Sequence, residues 1–256
     1  MKTLKVIFSL FLLGTIKVAT AQYDNTPTPL PIPESSPPTG YFVFGFGFTQ
    51  PMYRFASENY AGYGGYALPG NSFSLSLGAP IMHSNFGVAL MYSYNWNKYD
   101  INGYVSNIQF SDQSNTYNPV SDDSYRESMI MGGLFATIPI QRLSIDFRAM
   151  GGVAMCTLPE VAYEMDATSV TASQNFYWDT YGSKTAAFAS DFGADLRFRI
   201  HRTVLMAGVD YINTTPTVST TQVYTDQYGN STYTRVSGGI PISMMSYNLG
   251  IGYQFR

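Results

Sequence analysis

Eight stretches of this chain alternate large apolar side chains with small or polar ones, and the links between them alternate short and long. A period of two is the mark of a strand with one apolar face. The first stretch starts at Gly40 and sets Phe42, Phe44, Phe46 and Phe48 against Val43, Gly45 and Gly47. The second sets Phe73, Leu75, Leu77 and Ala79 against Ser72, Ser74, Ser76 and Gly78, and the third sets Phe86, Val88, Leu90, Tyr92, Tyr94 and Trp96 against Gly87, Ala89, Met91, Ser93 and Asn95. A fourth, near Met129 to Ile138, alternates less clearly; Ile130, Leu134 and Ile138 are placed outward. The fifth carries Leu143, Ile145, Phe147, Ala149 and Val153, and the sixth carries Phe188, Phe192, Ala194, Leu196, Phe198 and Ile200. Leu205, Ala207, Val209 and Tyr211 mark the seventh, and Met245, Tyr247, Leu249, Ile251, Tyr253 and Phe255 the eighth.

Three links are short, around Pro80 to Asn85, Pro139 to Arg142 and His201-Arg202. Four are long and polar: Thr49 to Asn71, Asn97 to Glu127, Cys156 to Thr185, and Asn213 to Ile242. A soluble sandwich has no reason to sort its connections this way, whereas an up-and-down barrel with two different ends produces the alternation directly. The expected fold is therefore all-β: an eight-stranded antiparallel up-and-down transmembrane β-barrel with short periplasmic turns and long extracellular loops. Inside hydrocarbon an unpaired backbone group costs several kcal/mol, so such strands must close without edges.

Composition agrees. Charged residues are 12% of the chain against a usual ~25%, and aromatics are 16%. No segment beyond the N-terminus is a long unbroken apolar run. The N-terminus itself has Lys2 and Lys5, an apolar stretch from Val6 to Gly14, and the small residues Ala19-Thr20-Ala21. That layout is a secretory signal peptide cleaved after Ala21. The organisation read from these features is a signal peptide over 1–21, a proline-rich periplasmic linker over 22–39 and the barrel over 40–256. Loss of Lys2, Lys5 and Lys17 takes the net charge from -3 to -6, leaving no electrostatic footprint for nucleic acid. The single Cys156 forms no intramolecular disulfide.

An eight-stranded lumen is only wide enough for side chains. The alternation turns Asp146, Arg148, Asp191, Asp195, Arg197, Arg199 and Asp210 inward, four negative against three positive. Buried charges persist when paired and hydrogen-bonded, so a salt-bridge network across the fifth to seventh strands is expected, acting as a structural plug or as a gated ion path. Tyr92, Tyr94 and Trp96 at one end, with Tyr253 and Phe255 at the other, are expected to form aromatic girdles at the two interfaces.

From Gly40 to Arg256 the chain resembles the small outer-membrane β-barrel family of OmpA and OmpX type. The ending Tyr253-Gln254-Phe255-Arg256 is similar to that family's aromatic C-terminal signature, with the departure that Arg256 follows the aromatic. The resemblance implies a bacterial outer-membrane location with periplasmic termini, outer-membrane lipids as surroundings, and barrel-assembly machinery as a partner of the last strand.

Catalytic signals are thin. Barrel enzymes of this compartment place a histidine near the extracellular rim, but the chain has two histidines, His83 and His201, both in expected periplasmic turns. A serine without a histidine base has no activator. Asp122-Asp123 and Glu127 offer too few ligands for a calcium loop, so no catalytic residue, cofactor or metal is assigned. The long links carry Tyr53, Tyr60, Tyr63, Tyr66, Tyr99, Tyr104, Tyr117, Tyr177, Tyr181, Tyr224, Tyr228 and Tyr233. Tyrosine suits both a binding surface and loops packed over a barrel mouth. The function expected is an integral barrel with a structural or surface-interaction role. The alternatives are an adhesin or receptor acting through the tyrosine-rich loops, and a narrow ion channel gated by the inward Asp/Arg cluster.

Overall fold

The computed structural model describes residues 40–58, 64–82, 84–121, 123–167, 176–180 and 183–255. The signal-peptide and linker expectations therefore lie outside the described residues, as do His83, Asp122, Tyr60, Tyr63 and Tyr181. Eight strands close into an antiparallel barrel. In chain order these are β1 (Gly40–Pro51), β2 (Gly70–Pro80), β3 (Phe86–Lys98), β5 (Ser124–Ile140), β6 (Leu143–Thr157), β9 (Lys184–Ile200), β10 (Thr203–Thr214) and β13 (Ile242–Phe255). Each contains one of the eight alternating stretches.

The register fixes the geometry of the barrel. A row perpendicular to the strands runs from Ile138 through Ile145, Leu196, Ala207, Leu249, Phe46, Phe73 and Tyr94 and returns to its starting strand at Ser128. The displacement, 138 minus 128, is a shear of 10 residues. With strands ~4.8 Å apart and a rise of ~3.3 Å per residue, that shear tilts eight strands by about 41° and gives a backbone radius of about 8 Å. No open bore remains after side chains fill such a ring.

The barrel is apolar outside and mixed within. Phe86 and Phe188 are 65% and 72% exposed, and Ile130, Leu134, Ile138, Phe147, Phe192, Leu249 and Ile251 are also exposed. Ser72, Ser74, Ser76, Ser93, Asn95, Asn248 and the Asp/Arg group are buried. This inverts the pattern of a water-soluble barrel and is the arrangement of strands that face lipid.

The long connections are not plain loops. Five further strands, β4 (Asn115–Pro119), β7 (Val161–Ala167), β8 (Phe176–Thr180), β11 (Thr217–Thr225) and β12 (Ser231–Gly239), form a second sheet in the order β12-β11-β8-β7-β4. Two helices join them, α1 (Tyr53–Ala56) and α2 (Ile101–Ser111). Asp100 caps α2 by accepting a hydrogen bond from Gly103 N at 2.9 Å. Its residues Ile101, Val105 and Ile108 fall on one face and are buried with Phe55, Tyr66, Tyr99, Tyr125 and Tyr163. So Tyr66 and Tyr99, which sequence reading left open between surface and packing, belong to a core; Tyr53, Tyr228 and Tyr233 are exposed.

Candidate functional site

Around the middle of the lumen, Arg148 on β6 faces three carboxylates. It bonds Asp195 through Nη1 and Asp210 through Nη2, and its Nε lies 3.8 Å from Asp191. Arg197 on β9 pairs with Asp146 through Nε, and its Nη2 donates to Asp146 Oδ1 at 2.8 Å. Thr137 on β5 donates to the same Oδ1 at 2.7 Å. Asn248 on β13 donates to Asp210 Oδ2 at 3.1 Å and accepts from Ser72 on β2 at 2.8 Å. The network thus spans six of the eight barrel strands: β2, β5, β10 and β13 all contribute to the two clusters centred on β6 and β9.

Six of the seven residues expected to form the inward charge network come together; Arg199 does not. It is only half-buried and takes part in none of the ion pairs among the described residues. The reason is its position two residues nearer the turns than Arg197, beyond the last lumenal carboxylate. The expected four-to-three balance becomes four carboxylates against two guanidinia. Glycines make room for this crowding. A Cβ on Gly193 would sit 2.0 Å from Asp210 Oδ1, and one on Gly208 would sit 2.1 Å from Asp195 Oδ1.

The polar layer lies between two apolar ones. Towards the turns, Tyr41, Val43, Phe135, Val204 and Met206 pack together, and the Arg197 guanidinium lies 4.1 Å from the Tyr41 ring centroid. Towards the long connections, Met91, Met129, Met131, Met150, Ile212 and Met244 fill the lumen. Unbranched methionine fills irregular space well. That layer runs on into the core under α2.

One inward charge was missed from sequence. Glu127 is 0% exposed, and neither of its oxygens has a hydrogen-bond partner among the described residues. It faces Asn95 across β3 and Cys156 across β6. Extending the alternation of Met129 and Met131 back to Tyr125 would have placed it inward. Asp123 instead lies outside, accepting from Ser124 N at 2.8 Å and Glu160 N at 3.1 Å. The acidic stretch considered for a divalent cation therefore splits, with Glu127 in the lumen and Asp123 on the surface.

Of the five aromatics expected as girdles, four lie towards the ends of their strands and Tyr92 lies at the middle of β3. Tyr94 and Trp96, towards the long connections, are in ring contact at 5.7 Å, and Tyr92, opposite Leu75 and Ile130, lies 6.4 Å from Phe73. Tyr253 and Phe255 are exposed at the turn end.

The second sheet treats its two edges differently. At β4, Gln109 of α2 acts as a false strand: its Oε1 accepts from Tyr117 N at 3.0 Å and its Nε2 donates to the Asn115 carbonyl. At the other end β12 pairs with β11 alone among the described strands, and all nine of its residues are exposed. The turn before β12 is set by Asp226, which accepts from the Asn230 side chain, Asn230 N and Tyr228 N. The bond from the Asn230 side chain is the main cause that holds the Asp226 carboxyl below its ordinary value. At the end of α2 a hydrogen bond from Tyr117 is likewise the main cause that lowers Asp112.

No protein-family model matches the chain, and no curated protein matches it in sequence. Among solved structures it is similar to Neisserial surface protein A at 11% identity and a TM-score of 0.46, over 84% of this chain and 97% of that one. It is similar to Ail, the attachment invasion locus protein of Yersinia pestis, at 12% identity and 0.39, over 85% and 99%. For the outer membrane protease OmpT of Escherichia coli the values are 9% and 0.42, over 86% and 98%. At such identities the likeness concerns the fold alone. The chain is a closed eight-stranded antiparallel β-barrel, similar to the small barrels of bacterial outer membranes.

Proposed function

We propose that this barrel anchors a surface-contact module in the bacterial outer membrane and conducts no solute. The turn end, where β1 begins and β13 ends, faces the periplasm, and the last strand is the one the assembly machinery engages. The five-stranded sheet faces outward. The observation that carries the reading is the contrast between its edges: β4 is covered by Gln109, while the nine residues of β12 are open on one side among the described residues. An open edge offers backbone donors and acceptors to an extended segment of another protein, and exposed Tyr233 and Val236 add apolar contact. The apolar layers above and below the Asp/Arg network argue against the ion-channel alternative. Among the described residues the exposed end carries no histidine, since His201 lies in the turn on the opposite side.

The test is adhesion of cells displaying the protein to a panel of immobilised extracellular proteins. Thr234→Pro removes one backbone donor from β12 and bends the edge. The proposal expects adhesion to fall severalfold in this variant while the heat-modifiable band of the folded barrel persists. Undiminished adhesion would sink the edge as the contact surface, and steady single-channel currents in a planar bilayer would sink the sealed-lumen part.

A further inference from the structure

Three successive inward residues of β3, Ser93, Asn95 and Asn97, stand opposite Met129, Glu127 and Tyr125 of β5. Glu127 is thus the centre of a short polar ladder. Directly paired positions on one face hold their Cβ atoms about 5 Å apart, and diagonal ones about 7–8 Å. Ser93 is 4% exposed, and Asn95, Asn97 and Glu127 are 0% exposed. Both oxygens of Glu127, Oδ1 of Asn95, Oδ1 of Asn97 and Oγ of Ser93 have no hydrogen-bond partner among the described residues. The Asn97 amide is oriented by its donors, since Nδ2 donates to Thr49 Oγ1 at 2.8 Å and to the Leu68 carbonyl at 2.9 Å. Its Oδ1 faces away from both.

A buried carboxylate persists when it is paired or binds a metal. The lumenal guanidinia are far off. Arg148 is eight residues (156 minus 148) from Cys156, the partner of Glu127 on β6, or about 26 Å along the strand. Neutral oxygens gathered at a carboxylate repel it unless a positive centre lies among them, and oxygen donors suit hard cations. The charge of that centre follows from the row Ser72, Asn95, Glu127, Cys156 and Thr185, in which Glu127 is the one carboxylate. A divalent ion would leave a net charge buried beside Met129 and Met131, which is costly. A monovalent ion leaves none.

Glu127 lies thirteen residues (140 minus 127) from Ile140 at the turn end, roughly 32 Å above it at the tilt of the ring. That is beyond an apolar band about 25 Å tall, so the ladder is reached from the outer aqueous side. Carboxylates outnumber cations among the described residues of the long connections, which draws cations to that end. One pleat further out, Tyr125 packs on Phe55 at 4.9 Å and covers the ladder.

We propose that Glu127, with Asn95, Asn97 and Ser93, binds one monovalent metal cation of sodium's class at the outer mouth of the lumen. Water completes the shell and takes the Asn95 Nδ2 donor. The ion ties β3 to β5 there, as the arginines tie β6 to β9 and β10 deeper down.

The experiment measures the urea midpoint of the mature folded chain in sodium chloride and in choline chloride at equal ionic strength. Choline screens charge but is too large to enter the ladder. Sodium at ten times its dissociation constant is expected to raise the folding constant about elevenfold over choline. Glu127→Gln, which keeps the shape and removes the charge, is expected to abolish the difference, while Asp123→Asn on the surface keeps it. Should Glu127→Gln fail to show a heat-modifiable band, the wild type decides through lithium, sodium, potassium and caesium in turn. A coordinating site ranks them by size, whereas screening treats them alike. Midpoints equal in all these salts would overturn the site and leave Glu127 with a proton or water. A sodium increment that survives in Glu127→Gln would place the ion elsewhere, and a larger increment from calcium would overturn the monovalent assignment.

Discussion

The barrel wall and the sheet at its long-connection end differ in how they finish their edges. In the barrel every strand is paired on both sides, because β1 meets β13. Its interior is then fixed by charges that cannot leave without stranding their partners. The sheet has two ends, one covered by a glutamine side chain and one open among the described residues. Its buried residues sit under α2 and at the barrel mouth, while β12 buries none. Stability is therefore expected to be graded along the molecule, highest in the closed ring and lowest at β12, where local opening needs no core to separate.

The strongest way to break that comparison acts on the barrel. Arg148→Met removes the one cation shared by Asp191, Asp195 and Asp210. Losing one partner of a buried charge group costs about 3–5 kcal/mol. The urea midpoint of the barrel in vesicles is expected to drop accordingly; an unchanged midpoint would mean the lumenal charges do not hold the wall together. A smaller effect is expected from Gly193→Ala, whose new methyl would meet the Asp210 carboxylate. Overpacking of this kind costs about 1–3 kcal/mol, and a wild-type midpoint would show that the network has slack. The smallest change belongs to the sheet. The lowered Asp226 carboxyl stabilises the β11–β12 turn above its ordinary value of 3.8, and that contribution fades as pH falls through the lower folded value. The Asn230 amide resonance is expected to shift in that acid window while barrel resonances stay put. Simultaneous loss of both would show that sheet and barrel form one cooperative unit.

The same contrast explains what the sequence made legible. All eight barrel strands were readable because one face meets an apolar exterior, so that each register slip would invert Phe42 with Val43 or Leu134 with Phe135. Even the weakly alternating fourth stretch has Ile130, Leu134 and Ile138 outward, as read. The sheet carried no such contrast. In β11 the two buried apolar residues are Val218 and Val223, five apart, which breaks a period of two. In β12 the sequence Ser231 to Gly239 is exposed throughout, so nothing distinguishes it from a polar loop. The lumenal network was legible as a set of charges but not as a pairing. Which carboxylates share Arg148 depends on the shear of the ring, and Arg199 fell outside because alternation alone gives facing without depth. Glu127 was lost to a boundary: β5 begins at Ser124, five residues before the alternation became visible at Met129.

The pairing of Gly40 with Phe255 joins residues 215 positions apart (255 minus 40). Seven of the eight contacts around the ring form between barrel strands that follow one another in the chain; this one joins the first strand to the last. Before β13 docks the ring is an open ribbon with bare backbone at both β1 and β10, the two flanks that β13 occupies. Such ribbons pair with their own kind, and closing so long a loop is intrinsically slow. The ring is therefore open to mispairing until β13 docks, and losing β13 would leave a chain with most of its sequence and no way to end its sheet.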